Sequence, residues 1–406
     1  MEMPPSAEIC EGLGTAIDNR LEQMTLFLDS GGDPRATAAL FADVLVLYGA
    51  IGDAACGNPP GFASRKAAIA VSLAETLGVD AQERDATYFA GILHAVGAVG
   101  NAAYRKGERL SERFARMESW DVPAQGARIC EGLGCLPAAT PDIVRWQAEC
   151  WDGTGYPDQL RWHGIPQSAL FLSLADSFAR SPEPEEALAN VAMQSGRAYG
   201  PDLTRAFTMW FHLTGGDPGD PPPLPLEALG AIDPGAAGAL LDDIADRVDA
   251  HNGEPGRWRR IARLADSAAE LMRLDAEGRR LLAIAARMYG AGEIGDAEST
   301  EGSFDPLARL GIDKRAGHAA AAAALAEGNA TFGPVAAVLR ARGEWYDGTG
   351  KPAALFHGDI PPAAGLLAAA IAYDALGHKD RIDTAAGTQF DPHVVRAVLE
   401  AARALA

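Results

Sequence analysis

The stretch ECWDGTGYPDQLRWHGIP at 149–166 returns 195 residues later as EWYDGTGKPAALFHGDIP at 344–361, identical at nine of eighteen places. The same offset carries Pro60-Gly61 onto Pro255-Gly256, Ala74-Glu75 onto Ala269-Glu270, Asp80 onto Asp275, Gly97 onto Gly292 and Gly100 onto Gly295. Separated segments keep one register only if the chain between them has nearly the same length, so one structural unit is used twice. Between the copies the run TGGDPGDPPPLP at 214–225 cannot continue a helix. The expected organisation is an N-terminal helical extension at 1–34, a first unit at 35–213, a Gly/Pro linker at 214–225 and a second unit at 226–406.

Within each unit the apolar residues recur at three- and four-residue spacing, as in RKAAIAVSLAETLGV and RWRRIARLADSAAELMRL. Alternating strand-like runs are nearly absent, so the fold class is all-α: two helical bundles in a pseudo-symmetric tandem. With 48% apolar residues the chain can fill both cores, whereas its apolar runs stop short of the roughly 18–20 residues that a membrane helix requires. A net charge of −20 repels a polyanion, which excludes direct nucleic-acid binding over most of the surface. The five cysteines (Cys10, Cys56, Cys130, Cys135 and Cys150) are odd in number and form no CxxC pair, the pattern of free thiols in a reducing compartment. A cytoplasmic protein without a membrane span is the expectation.

The order LHAVGAVG (93–100), ECWDGTGYP (149–157), IPQSALFLSLADSFA (165–179) resembles the HD-GYP branch of the HD-domain phosphohydrolases. The resemblance covers both copies. It implies an all-α bundle that holds two or three metal ions and hydrolyses cyclic di-GMP. A tandem of this kind also resembles a bacterial regulator group in which two such units precede a helix-turn-helix, here expected without that module. Hydrolysis of a phosphodiester calls for a metal-bound hydroxide held by imidazoles and carboxylates from several helices.

Aligned to that pattern, most of the ligands are gone. The family's first metal histidine falls on Phe62 and Arg257, its His-Asp pair on His94-Ala95 and Tyr289-Gly290, and its following lysine on Ala98 and Glu293. Its mid-domain histidine falls on Val122 and Asp313, its paired histidines on Gln147-Ala148 and Arg342-Gly343, and its late aspartate on Asp176 and Ile371. The glutamate before the turn persists as Glu149 and Glu344. Residual metal candidates are therefore His94 and Asp176 in the first unit, expected to pair with each other, and none in the second; a catalytic metal needs at least three protein ligands.

Asp152-Gly153-Thr154-Gly155 and Asp347-Gly348-Thr349-Gly350 read as structural turns, with side chains bonded to neighbouring amides and glycines at positive φ. Glu149 and Gln147 are the candidate catalytic residues, although Glu149 also suits a brace for the turn. Arg257, Arg260 and Arg342 could hold a phosphate or carboxylate without metal, and Tyr156 could stack on a base. The functional expectation is a catalytically degenerate HD-GYP-like regulatory or scaffold protein that binds a partner protein or a small anionic ligand such as a nucleotide in a vestigial pocket, with a homodimer as a further option. No cofactor is expected; the alternative is a phosphohydrolase with an altered first-unit site using iron, manganese or zinc.

Overall fold

The computed structural model describes residues 32–100, 121–181, 183–294, 318–329, 331–376 and 382–405. Residues 1–31, which hold nearly all of the expected N-terminal extension, and Asp313 lie outside them.

Helix starts are written in local side-chain chemistry. Asp33 accepts the Arg35 amide at 3.0 Å and Pro34 follows, opening α1 (Pro34–Cys56), which stops where Gly57 turns left-handed. After α2 (Phe62–Thr76), Asp80 accepts the Glu83 amide at 2.9 Å and opens α3 (Ala81–Ile92). A short 3-10 turn at Val96–Ala98 precedes α4 (Asp121–Leu133) and α5 (Thr140–Trp146). The DGTG loop leads into α6 (Gln167–Arg180), then α7 (Pro184–Met193) and α8 (Pro201–Thr214).

The second unit repeats the order. It runs α9 (Ala236–Asn252), α10 (Arg257–Leu271), α11 (Ala276–Met288), a 3-10 turn at Tyr289–Glu293, α12 (His318–Glu327), α13 (Gly333–Ala341), α14 (Pro362–Ala375) and α15 (Pro392–Leu405). Asp275 caps α11 through the Gly278 amide at 2.8 Å, as Asp80 caps α3. In place of α7 the second unit has a 3-10 turn at Ile382–Ala385. No strand occurs among the described residues, so the all-α class holds, with the loop 215–225 joining the two bundles.

Each bundle wraps its second helix: α2 lies against α3 and α6, α10 against α11, α14 and α15. Tyr48, Trp210, Trp258, Tyr289 and Trp345 are fully buried and anchor the cores. α1, with 23 residues and a mean hydropathy of 1.6, is long and apolar enough to cross a bilayer by length and composition. Here it is a core helix. Phe41, Leu45 and Tyr48 are buried as it packs against the Val96–Ala98 turn and, across the junction between units, against α9. The junction also has polar contacts: Asn329 Nδ2 donates to the Asp43 carbonyl at 3.0 Å, and the Thr331 hydroxyl donates to the Asp43 carboxylate.

Gly97 and Gly292 keep their register because the following helix touches the backbone there. A Cβ on Gly97 would lie 2.1 Å from the Val122 carbonyl oxygen, and one on Gly292 would lie 2.0 Å from that of His318. Gly97→Ala and Gly292→Ala are each expected to destabilise the chain by about 2–3 kcal/mol, since the backbone itself must yield. Chemical denaturation of the two variants checks this, and the two losses should be similar.

Candidate functional site: a charge cluster in each bundle

The conserved-length loop is held from inside. Asp152 Oδ1 accepts from the Thr154 amide at 2.9 Å and the Thr154 hydroxyl at 2.6 Å, and Asp347 makes the same two bonds to Thr349 at the same distances. The two glycines of each turn have different reasons. Gly153 and Gly348 sit at φ +80° and +76°, whereas a Cβ on Gly155 or Gly350 would meet the amide nitrogen of Cys150 or Trp345 at 2.2 or 2.1 Å. The sequence expectation of positive φ thus applies to the first glycine only; the second permits a close backbone approach. Both loops carry a cis X-Pro bond, Tyr156-Pro157 and Lys351-Pro352.

Glu149 is buried, and its two oxygens accept the amides of Asp158 (2.7 Å) and Leu160 (3.0 Å). Glu344 accepts those of Ala353 (2.6 Å) and Leu355 (2.9 Å). Burial pushes the Glu149 carboxyl up, and the amides at 158–160 pull it back. The loop then clasps the segment before the last helix of its unit: Asp152 N donates to Arg197 O at 2.9 Å and Asp347 N to Thr388 O at 2.9 Å. Glu149 therefore braces the turn with both of its oxygens.

In the first unit the positions singled out by alignment do converge. The Phe62 and His94 rings lie 5.7 Å apart, and Gln147 Nε2 donates to the His94 carbonyl at 2.9 Å and to the Val144 carbonyl at 3.1 Å. Between Gln147 and Asp176 stands a residue the sequence reading did not name, Lys66. Its buried ammonium donates to Gln147 Oε1 at 2.8 Å and to Asp176 Oδ1 at 3.2 Å. Arg180 completes the cluster, with Nε 2.7 Å from Asp176 Oδ2, its second arm donating to Asn58 Oδ1 at 2.9 Å, and its guanidinium 4.8 Å over the Phe62 ring. Asn58 in turn donates to Asp53 Oδ1 at 2.9 Å, and the Ala63 amide donates to Asp53 Oδ2 at 2.8 Å.

The expected His94–Asp176 pair does not form. Asp176 is taken by Lys66 and Arg180, while His94 Nδ1 lies 3.0 Å from the Gly91 carbonyl and Nε2 lies 3.5 Å from Asp53 Oδ1. Burial, then the charge of Lys66, hold the imidazole well below its ordinary range, so it is neutral. Burial alone would raise the Asp176 carboxyl, but Lys66 and Arg180 outweigh it and hold the group below the usual carboxylate range. Burial pulls the Lys66 ammonium down against the stabilising Asp176 charge. Burial pushes Asp53 up to about 6, opposed by Asn58 and the Ala63 amide.

The second unit fills the same place with arginine. Arg257 stands 2.7 Å from Glu254 Oε2 and 3.2 Å from Glu293 Oε1, with its guanidinium 5.4 Å over the Tyr289 ring; Arg342 lies 6.0 Å over the same ring. Burial would lower Arg257, yet Tyr289, Glu293 and Glu254 hold it above its ordinary value. Asp249 accepts the Trp258 amide at 2.7 Å, repeating Asp53 and Ala63, and burial pushes it too up to about 6. Of the candidate anion-binding arginines, Arg257 and Arg342 meet at Tyr289. Arg260 instead lies at the exposed rim, bidentate to Asp374 at 2.8 and 3.1 Å. A phosphate entering here would compete with carboxylates already in place. Tyr156, half-buried in the first unit, belongs to neither arginine group.

A model of the HD domain matches residues 51–203 and again 240–391, more than half of the sequence. The chain belongs to the HD-domain family. Two curated relatives are each named cyclic di-GMP phosphodiesterase. One, from Vibrio cholerae, is 33% identical over 131 residues, which is 28% of this chain and 27% of the relative. The other, from Thermotoga maritima, is 29% identical over 153 residues, 33% of this chain and 40% of the relative. The matches thus span less than half the length of either relative. A crystal structure described as a cyclic GMP-AMP specific phosphodiesterase of V. cholerae aligns over 89% of this chain and 97% of its own, with a TM-score of 0.63 and 19% identity, a likeness of fold.

HD-domain phosphohydrolases use divalent metals, and the described residues at the aligned positions do not offer a shell for one. Among the described residues no three His, Cys, Asp or Glu side chains gather as a metal shell. The late aspartate is committed to two cations, and Lys66 would set an ammonium against any divalent ion bound by Asp176. Gln147, the other candidate catalytic side chain, is used at both ends, accepting from Lys66 and donating to two carbonyls. Lys66 could have been found from its place four residues after Phe62, which puts both on one face of α2; Arg180 stands likewise four after Asp176.

Lys66→Met is expected to cost about 3 kcal/mol of stability, because it strips Asp176 of its buried partner and leaves Gln147 Oε1 without a donor; urea denaturation checks it. Asp53 and Asp249 have folded values above the unfolded range. Their contribution is therefore complete below about pH 4 and is lost as pH rises through about 6. Between pH 4 and 7 the wild type should lose on the order of 2 kcal/mol per carboxyl that an Asp53→Asn, Asp249→Asn variant retains, read from stability measured at both pH values.

Proposed function

We propose that the chain is a catalytically degenerate HD-domain protein of the cytoplasm, acting as a regulatory or scaffold module through a partner protein or a small ligand. The observation that carries this reading is Lys66. Its ammonium bridges Gln147 and Asp176, two of the positions that align with metal ligands in HD-GYP proteins. A tethered cation satisfies those acceptors permanently, which removes the need for a metal and with it the source of a hydroxide nucleophile. The second bundle supports the same reading, since Arg257 neutralises Glu254 and Glu293, and its one nearby imidazole among the described residues, His318 at 3.9 Å from Glu293, brings no second histidine with it. What stays intact is framework: the braced DGTG loops, the helix caps and the helix contacts, all of which serve a binding surface as well as they serve an enzyme.

The second reading is a cyclic dinucleotide phosphodiesterase with an altered first-unit site, favoured by the names of the two curated relatives. Metal analysis by elemental mass spectrometry on protein purified without chelator or tag separates them, run beside hydrolysis assays on cyclic di-GMP and cyclic GMP-AMP. The degenerate reading expects well under about 0.1 metal equivalents and no turnover in either assay. About one equivalent of iron, manganese or zinc, lost in a His94→Ala, Asp176→Ala variant and accompanied by turnover, would overturn it.

A further inference from the structure

Between the bundles lies a cavity of about 550 Å³, the size of a site for a small organic molecule. One wall is α1 with the start of α2, and the other is the turn at 291–294 with α12, so neither unit forms it alone. Most of its lining is apolar, including Leu47, Ala50, Ile92, Ile294 and Leu325. Among the described residues that line it there is no lysine or arginine, one carboxylate, Asp53, and one imidazole, His318.

Three features give the cavity a sign. Asp53 is 2% exposed, and among the described residues no lysine or arginine reaches ion-pair distance of it, Lys66 and Arg180 acting on it only from farther off. Lys66, the nearest amine in its network, is bonded to Asp176 instead. Helix ends add to this: the lining includes Gly57 and Gly328, which follow the C-termini of α1 and α12, where the helix dipole is negative. Of the positive ends, that of α2 is spent on Asp53 itself through the Ala63 amide, while that of α12 starts at His318 in the same lining.

We infer that the cavity between the two units binds a small, mainly apolar organic cation of the alkyl- or cycloalkylammonium class, with its charge on Asp53 and its hydrocarbon against α1 and α12. Each oxygen of Asp53 accepts one protein hydrogen bond, and a carboxylate oxygen has capacity for a second. Since the guest touches both units, it fixes their relative placement, which is how occupancy would reach the outer surfaces. The inference narrows the small-ligand side of the proposed regulatory function, and a failed titration leaves the metal and hydrolysis results of that reading untouched.

The test is calorimetric titration of the full chain with cyclohexylammonium, with cyclohexanecarboxylate and inorganic phosphate as anionic controls. Cyclohexylammonium should bind one per chain and at least about ten-fold more tightly than either anion. Asp53→Asn should weaken it by about ten-fold or more. Ala324→Phe, at an exposed cavity-lining site on α12, should abolish binding with an unchanged circular dichroism spectrum. Equal binding of the anions, no saturable binding of the amine, or full binding by the Ala324→Phe variant would overturn the proposal. Should Asp53→Asn fail to fold, the Ala324→Phe result decides.

Discussion

A bundle that turns buried carboxylates toward a common centre has to place positive charge there, because an ionised carboxylate in a low-dielectric core is stable only when paired and hydrogen-bonded. Both units of this HD tandem meet that requirement from the same helix. In the first, Lys66 of α2 reaches Asp176; in the second, Arg257 at the first position of α10 reaches Glu254 and Glu293. Arg257 occupies the register of Phe62, one helical turn before Lys66, whose own counterpart is Ile261. The two solutions differ in shape as well as in register. A compact ammonium fits between an amide oxygen and a carboxylate, whereas a planar guanidinium can lie over the Tyr289 ring while holding two glutamates.

Seen from that centre, the persistence of the DGTG loops is a consequence of where their bonds go. Every polar group that defines them is satisfied within the loop, by Glu149 or Glu344, or by the backbone ahead of the last helix. Where a partner falls on a former metal position, as with the Ala148 and Gly343 carbonyls that accept the Tyr156 and Lys351 amides, it is a backbone atom that any residue supplies. The loop can therefore survive replacement of the whole ligand set, and replacing it would expose two buried carboxylate oxygens per unit. Tyr156 and Lys351, which sit between the last glycine and the proline, take no part in these bonds beyond their backbones, and it is there that the two copies diverge.

How much of this was legible in the sequence follows from the range of the interactions. The helices and the turns are readable because their chemistry is local, and the resemblance to the HD-GYP pattern places Phe62, His94, Gln147 and Asp176 at one site. The cation at their centre is not. Lys66 meets Gln147 across 81 residues and Asp176 across 110, and its place four residues after Phe62 is the one local sign that it faces inward. Asp53 and Asp249 escaped for a different reason. They are 196 residues apart, not 195, since the loop after Gly57 is one residue longer than the loop after Gly253, and a fixed offset sets each against an unrelated neighbour. The expected pairing of His94 with Asp176 fails because Lys66 and Arg180 take the two oxygens of that carboxylate.

The junction between the units shows what duplication within one chain permits. In a symmetric dimer of a single unit the two clefts flanking the central helices would be identical. Here α1 faces α12 across an open cavity, whereas on the opposite side α9 closes on the first unit: a side chain on Gly100 would start 3.3 Å from Arg247 Cβ, and Arg247 is fixed by Asp243 at 2.6 Å. Fusion into one chain lets the two clefts diverge: Arg247, bonded to Asp243, stands against Gly100 in one, and among the described residues Asp53 is the carboxylate in the wall of the other. The pseudo-symmetry thus ends at the interface. A site that exists once per chain and touches both bundles can bias how they sit against each other, which two equal sites filled in turn would do only in steps.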